Sequence, residues 1–501
     1  MAAPDDTPRF EPGRRRAVTF ALALISATAA LEGTVVSTAM PTIVGDLQGL
    51  SLYSWVFSIF LLTSTVTMPI YGRLADKHGR RRVLLLATGL FLLGALACAT
   101  ARSMPQLIVA RGLQGVGAGG LLPVAIAVVA DLYALRERAR VQALFSAIWG
   151  TASLVGPLLG AFLTLSFGWR SIFLVVVPLA LVSLALEATH MRESRASRPE
   201  PFDGVGGATL AAGVTALLLA TLHDAGGAAH LPRRLALLGA AAVLLAVFAR
   251  RQARREHPLV PLSLLTHRHT ASPYLAGALL GTTIFGVDTF VPLFVQGARG
   301  GTAAAAGAVV TPVMFFWATS ATFATRALVR HGFRATARVG TLLIAVGCAA
   351  LLAAARAEAG VAWISAACAL VGMGLGPVAT SQMLAVQHAA PESERGVASS
   401  LVPFFRTLGG SLGVGALGGV LSAGLGRHLG TAADAAGRLI AGHPGALPRG
   451  ITPFDVRQAI DKSLLPVFTV MLVLAIANVL VAARFPGRAE EAAESDPRPA
   501  A

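Results

Sequence analysis

The chain is a succession of apolar runs, each long enough for a membrane and most of them separated by short loops, and that alternation excludes nearly every soluble fold. A helix needs about 20 mainly apolar residues to cross a bilayer, because it rises about 1.5 Å per residue through about 30 Å of hydrocarbon. Such runs lie near 17–40, 51–71, 83–101, 105–130, 141–165 and 171–189, then near 204–222, 235–249, 271–296, 303–325, 338–355, 360–386, 396–424 and 464–483. They describe an all-α integral membrane protein with fourteen transmembrane helices. The shortest run, 235–249, falls below the ruler, yet losing it would invert the charge pattern of every later loop. Charged residues make up 13% of the chain and the mean hydropathy is +0.68, against a charged share of about 25% in soluble domains. The first run is longer than the apolar core of a cleaved leader, roughly 7–15 residues, so it is expected to remain as a helix.

Cytoplasmic loops retain Lys and Arg, and here the basic residues fall mainly on alternate loops. One side carries Arg14 to Arg16, Arg80 to Arg82, Arg136, Arg138 and Arg140, Arg192, Arg195 and Arg198, the 250–255 cluster, the 326–338 loop and Arg395. Both termini are therefore expected in the cytoplasm. The order is a tail over 1–16, a six-helix bundle over 17–189, a linker over 190–203 and two extra helices over 204–249. A second linker over 250–270 leads to a second six-helix bundle over 271–483, with a long extracellular loop at 425–463, and a tail over 484–501 follows.

The two bundles repeat one another. "YGRLADKHGRRRVLL" at 71–85 aligns with "TRALVRHGFRATARV" at 325–339, placing Arg73 over Arg326, His78 over His331, Gly79 over Gly332 and Arg81 over Arg334. Arg140 is followed by Gly150, Gly156 and Gly160, and Arg395 by Gly409, Gly410, Gly413 and Gly415. Duplicated halves are common in secondary transporters, with the substrate site between them at mid-membrane.

Charges inside the apolar runs mark where such a site lies, since a charge at that depth is costly without a partner or a role. Glu32 and Asp288 each lie eight residues before the outer end of their run, and Arg111 six after the start of its own. All three thus share one slab and can meet. Desolvation favours a neutral acid and a neighbouring arginine an ionised one, so substrate or proton could tip the carboxyl between the two forms. A static Glu32–Arg111 pair and a helix-end Asp288 beside Arg299 are the plainer alternatives. Gln114, one turn from Arg111, faces the same way. Arg406 is too deep to reach the surface by snorkelling and is read as lining the cavity, with Trp149, Phe316 and Trp317 as apolar walls.

Other chemistries find no support. Cys98, Cys348 and Cys368 all lie in apolar runs without metal or disulfide spacing, and there is no HExxH motif, no Walker loop and no GxSxG elbow, the GGSLG at 409–413 lying inside an apolar run, which argues against an enzyme and against ATP drive. No metal and no cofactor is expected, the proton gradient being the energy source. The net charge of +16 is spread over loop margins rather than gathered in a patch interleaved with aromatics, so nucleic acid is not an expected partner. The expected partners are a small-molecule substrate, protons and the lipid bilayer, with the chain acting as a monomer. All of the basic residues except Lys77 and Lys462 are arginine, a bias that matches a GC-rich bacterial source and a plasma-membrane location.

Four stretches carry a family resemblance. "GRLADKHGRRRVL" at 72–84 resembles the loop 2-3 signature of the major facilitator superfamily at Gly72, Asp76, Gly79, Arg80 and Arg81. "RGLQGVGAGG" at 111–120 resembles its helix 4 signature, and "GTASLVGPLLGAFL" at 150–163, with Gly150, Gly156, Pro157 and Gly160, the helix 5 signature of antiporters. "LEGTVVSTAMPTI" at 31–43 is similar to the helix 1 signature of the fourteen-helix drug:proton antiporter branch, with Glu32 where the branch has Asp. The resemblance implies a proton-coupled exporter of lipophilic, cationic drugs or toxic compounds that works by alternating access. An exporter of an endogenous metabolite is the alternative. It further implies that the 72–84 loop gates through ion pairs, a latch weakened in the second half where Val329 replaces Asp76, and that the helix 5 glycines form a hinge. Physically, those glycines equally suit plain close packing.

Overall fold

The computed structural model describes residues 12–133, 135–193, 203–222, 231–255, 258, 260–357, 359–391, 395–430 and 452–487, and among these the regular structure is helical. The helices are α1 (Pro12–Leu47), α2 (Tyr53–His78), α3 (Arg80–Ala99), α4 (Met104–Leu132), α5 (Leu135–Phe167), α6 (Ser171–Leu174), α7 (Val176–His190), α8 (Gly204–Leu222) and α9 (Leu231–Ala253). There follow α10 (Leu262–Thr266), α11 (Arg268–Leu293), α12 (Ala303–Arg356), α13 (Val361–Ala389), α14 (Arg395–Leu429) and α15 (Pro453–Ala482). The side chains of Asp76, Arg136, Arg138, Arg140 and Arg395, together with Arg195, Arg198 and the central part of the expected 425–463 loop, lie outside the described residues.

Among the described residues, eleven helical stretches are long and apolar enough to cross a membrane, α6 and α7 together forming one of them. One of them, α12, holds two of the expected runs, folded over at Gly332, whose φ of 80° and ψ of 171° break the helix. Only glycine adopts that region without strain. Gly79, its aligned partner, makes the α2–α3 turn with φ 100° and ψ 142°, so the internal repeat extends to backbone conformation. The run at 235–249 sits in the 23-residue helix α9. A hydropathy ruler clips it at Arg233, Arg234 and Arg250, whereas the helix continues through them because long cationic side chains can extend to an interface. Local signals also set the ends: Ser103 and Thr302 cap α4 and α12, and Thr452 with Asp455 forms a reciprocal capping box at α15.

The end where α1 begins, and where the α2–α3 turn lies, is called proximal, and the opposite end distal. Hydrogen bonds join the two halves at the distal end. Gln296 Nε2 donates to the Thr38 carbonyl (3.0 Å), Tyr53 to that of Thr289 (2.6 Å), Ser411 to that of Ser58 (3.0 Å) and Ser422 to that of Ser51 (3.1 Å). A distal apolar core draws on both halves, including Val35, Tyr53 and Leu107 with Phe290, Val309 and Leu417. Proximally each half keeps its own core, around Leu22, Tyr71, Phe91 and Val141 in one and around Ala276, Phe333, Ala385 and Phe485 in the other. The exception is α8, whose Leu210, Val214 and Leu218 pack with Leu62 and Val66 of α2 and with Leu401, Val402 and Phe404 of α14. Among the described residues the arrangement is sealed distally and, α8 apart, parted proximally.

Glycines set how closely helices approach within each half. On α4, a Cβ at Gly115 or Gly119 would collide with α2, and one at Gly117 with the α3 backbone. On α13, Gly372 and Gly376 meet the first arm of α12 in the same way, and Gly374 meets the second arm. The spacing 115, 117, 119 thus recurs as 372, 374, 376. Likewise Gly156 and Gly160 of α5 press on Thr34, Val35 and Thr38 of α1, while Gly409 and Gly413 of α14 press on Ala278 and Thr282 of α11.

A buried charge cluster and a proximal cavity form the candidate site

Close packing of α4 on α2 and α3 fixes the height of Arg111 and Gln114, and both point toward α1. The Arg111 guanidinium donates through Nη1 to Glu32 Oε1 and to Gln114 Oε1 (2.8 Å), and through Nε to the Val56 carbonyl (3.3 Å). Gln114 Nε2 donates to the second Glu32 oxygen (2.9 Å). The Phe60 ring lies 4.1 Å from the guanidinium carbon. Glu32 and Arg111 are each 2% exposed and Gln114 is fully buried. A single carboxylate is thus held by one cation and one amide, with both oxygens satisfied, which is the geometry expected of a group that can exchange its charge against a proton only when its surroundings move.

Asp288 does not join this cluster. Depth was legible from linear counting: Gln296 lies level with Thr38, so Asp288 and Glu32 sit eight and six residues proximal to one plane, about 12 and 9 Å at helical rise. Direction was not. Glu32 turns toward α4, whereas Asp288 is buried within electrostatic reach of Cys368 on α13. Through the glycine register, Cys368 occupies the place in the second half that Arg111 holds in the first. Asp288 has no hydrogen-bond or ion-pair partner among the described residues, and Arg299 is engaged elsewhere, with Asp461 (3.4 Å) and the carbonyls of Ala354 and Ala355. The helix-end alternative for Asp288 is thereby removed.

Around the α2–α3 turn the arginines find partners that sequence reasoning missed. Arg80 pairs with Asp131 and donates to the Ala127 carbonyl (2.6 Å). Arg81 donates to the carbonyls of Glu187 (3.4 Å) and Ala188 (2.6 Å), closing the end of α7, and Arg82 pairs with Glu193 (3.4 Å). The aligned Arg334 donates to the Phe485 carbonyl (2.7 Å) at the end of α15, so the same device closes the last helix of each half. Glu187, also missed, is buried and accepts from Ser183 (2.8 Å) and Thr88 (3.2 Å). Its signal was the i, i+4 pair of Ser183 and Glu187, hidden by the proximity of the run's end.

Proximal to the Gly156–Thr34 contact, α1 and α5 diverge around a cavity of about 460 Å³ lined by Arg16, Thr19, Phe20, Ala23, Leu24 and Ala27 with Tyr133, Leu144 and Ile148. The α1 residues follow a 20, 23, 24, 27 helical spacing that could have been read as a face. Trp149 follows Ile148 directly and is 38% exposed, with Gly150 in open space beside it. Phe316 and Trp317 are half-buried on α12, and Arg406 on α14 has its guanidinium 6.0 Å from the Trp317 ring. Pro157 presents its carbonyl to Gly307 of α12, so the helix 5 motif packs on α1 and also meets the second half. Gly72 lies in the proximal part of α2.

A buried ionic cluster, two pseudo-equivalent bundles and a cavity between α1 and α5 define a multi-pass membrane transporter of small molecules. The chain belongs to the Major Facilitator Superfamily, whose family model matches residues 22–414. It is 34% identical to the multidrug transporter protein MdtP of Bacillus subtilis over 79% of this chain and 73% of that protein. It is 29% identical to multidrug resistance protein 3 of the same organism over 83% of this chain and 81% of that one. Among solved structures, the fold resembles an inward-facing, occupied bacterial homologue of the human lysosomal transporter Spinster, with TM-score 0.69, 16% identity and coverage of 94% and 97%. It also resembles a POT family peptide transporter, with TM-score 0.66, 18% identity and coverage of 98% and 99%.

Proposed function

We propose that the protein is a proton-coupled antiporter that exports lipophilic, cationic drugs or toxic compounds across a bacterial plasma membrane by alternating access. The carrying observation is the Glu32–Arg111–Gln114 cluster, a carboxylate buried at membrane depth whose only cationic partner among the described residues sits on another helix. Proton and substrate compete for the ionisation state of this site, and Asp288 supplies a second acidic group within the second half. The efflux relatives support the direction of transport. In this reading the chain crosses the membrane fourteen times with both termini cytoplasmic, the proximal end is the cytoplasmic end, and the arginine contacts of the α2–α3 turn belong to the gate. The proton gradient is the energy source and the working unit is a monomer.

The test is an everted-vesicle assay. Acid-loaded vesicles should release protons when a lipophilic dye cation is added, and a protonophore should abolish dye accumulation. Silence with every cation but proton release on adding a neutral metabolite would replace the drug reading with export of an endogenous compound. That second reading draws support from the similarity to a transporter of the acurin A biosynthesis cluster of Aspergillus aculeatus, 29% identical over 78% of this chain.

A further inference from the structure

We propose that Arg406, backed by Trp317, is an anion subsite in the second half, so that the transported compounds include aromatic zwitterions whose acidic group docks on this guanidinium. The inference deepens the export reading by naming a class of cargo.

Four observations carry it. Arg406 lies eleven residues into α14, about 16 Å at helical rise and close to half the hydrocarbon depth. A charge placed there is retained only with a partner or a function. Next, the other inward-turned arginines have partners. Arg111 has Glu32 and Gln114, Arg80 has Asp131, Arg299 has Asp461, and Arg334 has the Phe485 carbonyl. Arg406 has no hydrogen-bond or ion-pair partner among the described residues, and its guanidinium meets only the Trp317 ring. Five N–H donors in a planar fork are therefore available, in the geometry that grips a carboxylate with two parallel bonds.

The group is also held in place. The Arg406 carbonyl presses on Gly281 of α11, where a Cβ would collide with it, and Gly409 and Gly410 press on Ala278 and Phe285. With α14 seated on α11, the backbone height from which the guanidinium extends is fixed. Finally, Trp317 comes from α12 and Arg406 from α14, and both helices pack on α11 and α13. Their side chains meet within the second half, and the Arg406 backbone rests on the α11 that also carries Asp288. Gly281 is seven residues from Asp288, about 10 Å along the helix. That span suits a molecule with an acid at one end, a flat ring over Trp317 and a cationic amine at the other.

The experiment uses two dyes that differ in one group. Rhodamine 123 is a cationic methyl ester, and rhodamine 110 is the same xanthene cation with a free carboxylate. Equilibrium binding of each to the purified full-length protein in detergent is followed by fluorescence anisotropy. The wild type is expected to bind both. Arg406→Gln should weaken rhodamine 110 tenfold or more while leaving rhodamine 123 within twofold, and Arg406→Lys should fall between for rhodamine 110. Equal losses for both dyes, unchanged rhodamine 110 binding in Arg406→Gln, or no rhodamine 110 binding by the wild type would overturn the subsite. Because binding needs no pH gradient, this dye pattern together with transport indifferent to protonophore would overturn proton coupling and leave the subsite standing.

Discussion

Replacing Glu32 by Gln separates a coupling carboxyl from a structural one. The glutamine keeps an oxygen for Arg111 and nearly the same volume, while Arg111 keeps the Val56 carbonyl, Gln114 and the Phe60 ring. Removing one partner of a buried pair costs about 3–5 kcal/mol, and a hydrogen bond to a charged group retains about 1.5–3 kcal/mol of that. The net loss is about 2 kcal/mol, within what a folded membrane protein survives. Transport should respond quite differently. A pH difference of two units offers about 2.7 kcal/mol per proton, which sustains roughly a hundredfold accumulation of a substrate exchanged one for one. In proteoliposomes, Glu32→Gln should show no accumulation under that gradient yet continue substrate exchange at equal pH. Accumulation equal to the wild type would refute the assignment of Glu32, and loss of exchange as well would mark the cluster as structural.

Asp288→Asn should lower the preference for cationic over neutral substrates, read as the ratio of their resistance levels in expressing cells; identical resistance to both types, before and after, removes Asp288 from the site. Gly332→Ala should lower thermal stability by about 1–3 kcal/mol, since φ 80° with ψ 171° suits glycine alone, whereas alanine at the open Gly239 should change little. Asp203 precedes α8 and its carboxylate is held below the usual range: burial alone would raise it, but the Gly206 N–H, Arg251, Gln252 and Arg255 outweigh that. A depressed folded value means that this contribution to stability is complete above the ordinary aspartate value of about 3.9 and is lost as pH falls below it. The difference in melting temperature between wild type and Asp203→Asn should therefore persist at pH 7 and shrink below about pH 4.

What could be read in the chain and what could not divides along a physical line. Run length, glycine turns and depth are properties of a single helix, so the α2–α3 turn at Gly79, its counterpart at Gly332 and the common depth of Glu32 and Asp288 were all accessible. Azimuth depends on how neighbouring helices pack, which is why Glu32 and Arg111 meet while Asp288 turns to α13. The partners of Arg80 and Arg81, supplied by α4 and α7, are distant in sequence for the same reason. The 235–249 run looked short because hydropathy treats an arginine at a helix end as a stop, although its aliphatic stem continues the helix.

The helix pair α8–α9 gives the molecule a handedness that its duplicated halves alone would not have. Because α8 rests on both α2 and α14, that flank is stapled across the seam, while the opposite flank, where α5 meets α12, carries no such staple among the described residues. Rocking of one half against the other would then splay the unbraced side more widely. In the export cycle proposed above, a lipophilic molecule dissolved in the leaflet at the proximal end would find its doorway between α5 and α12 without first passing into water.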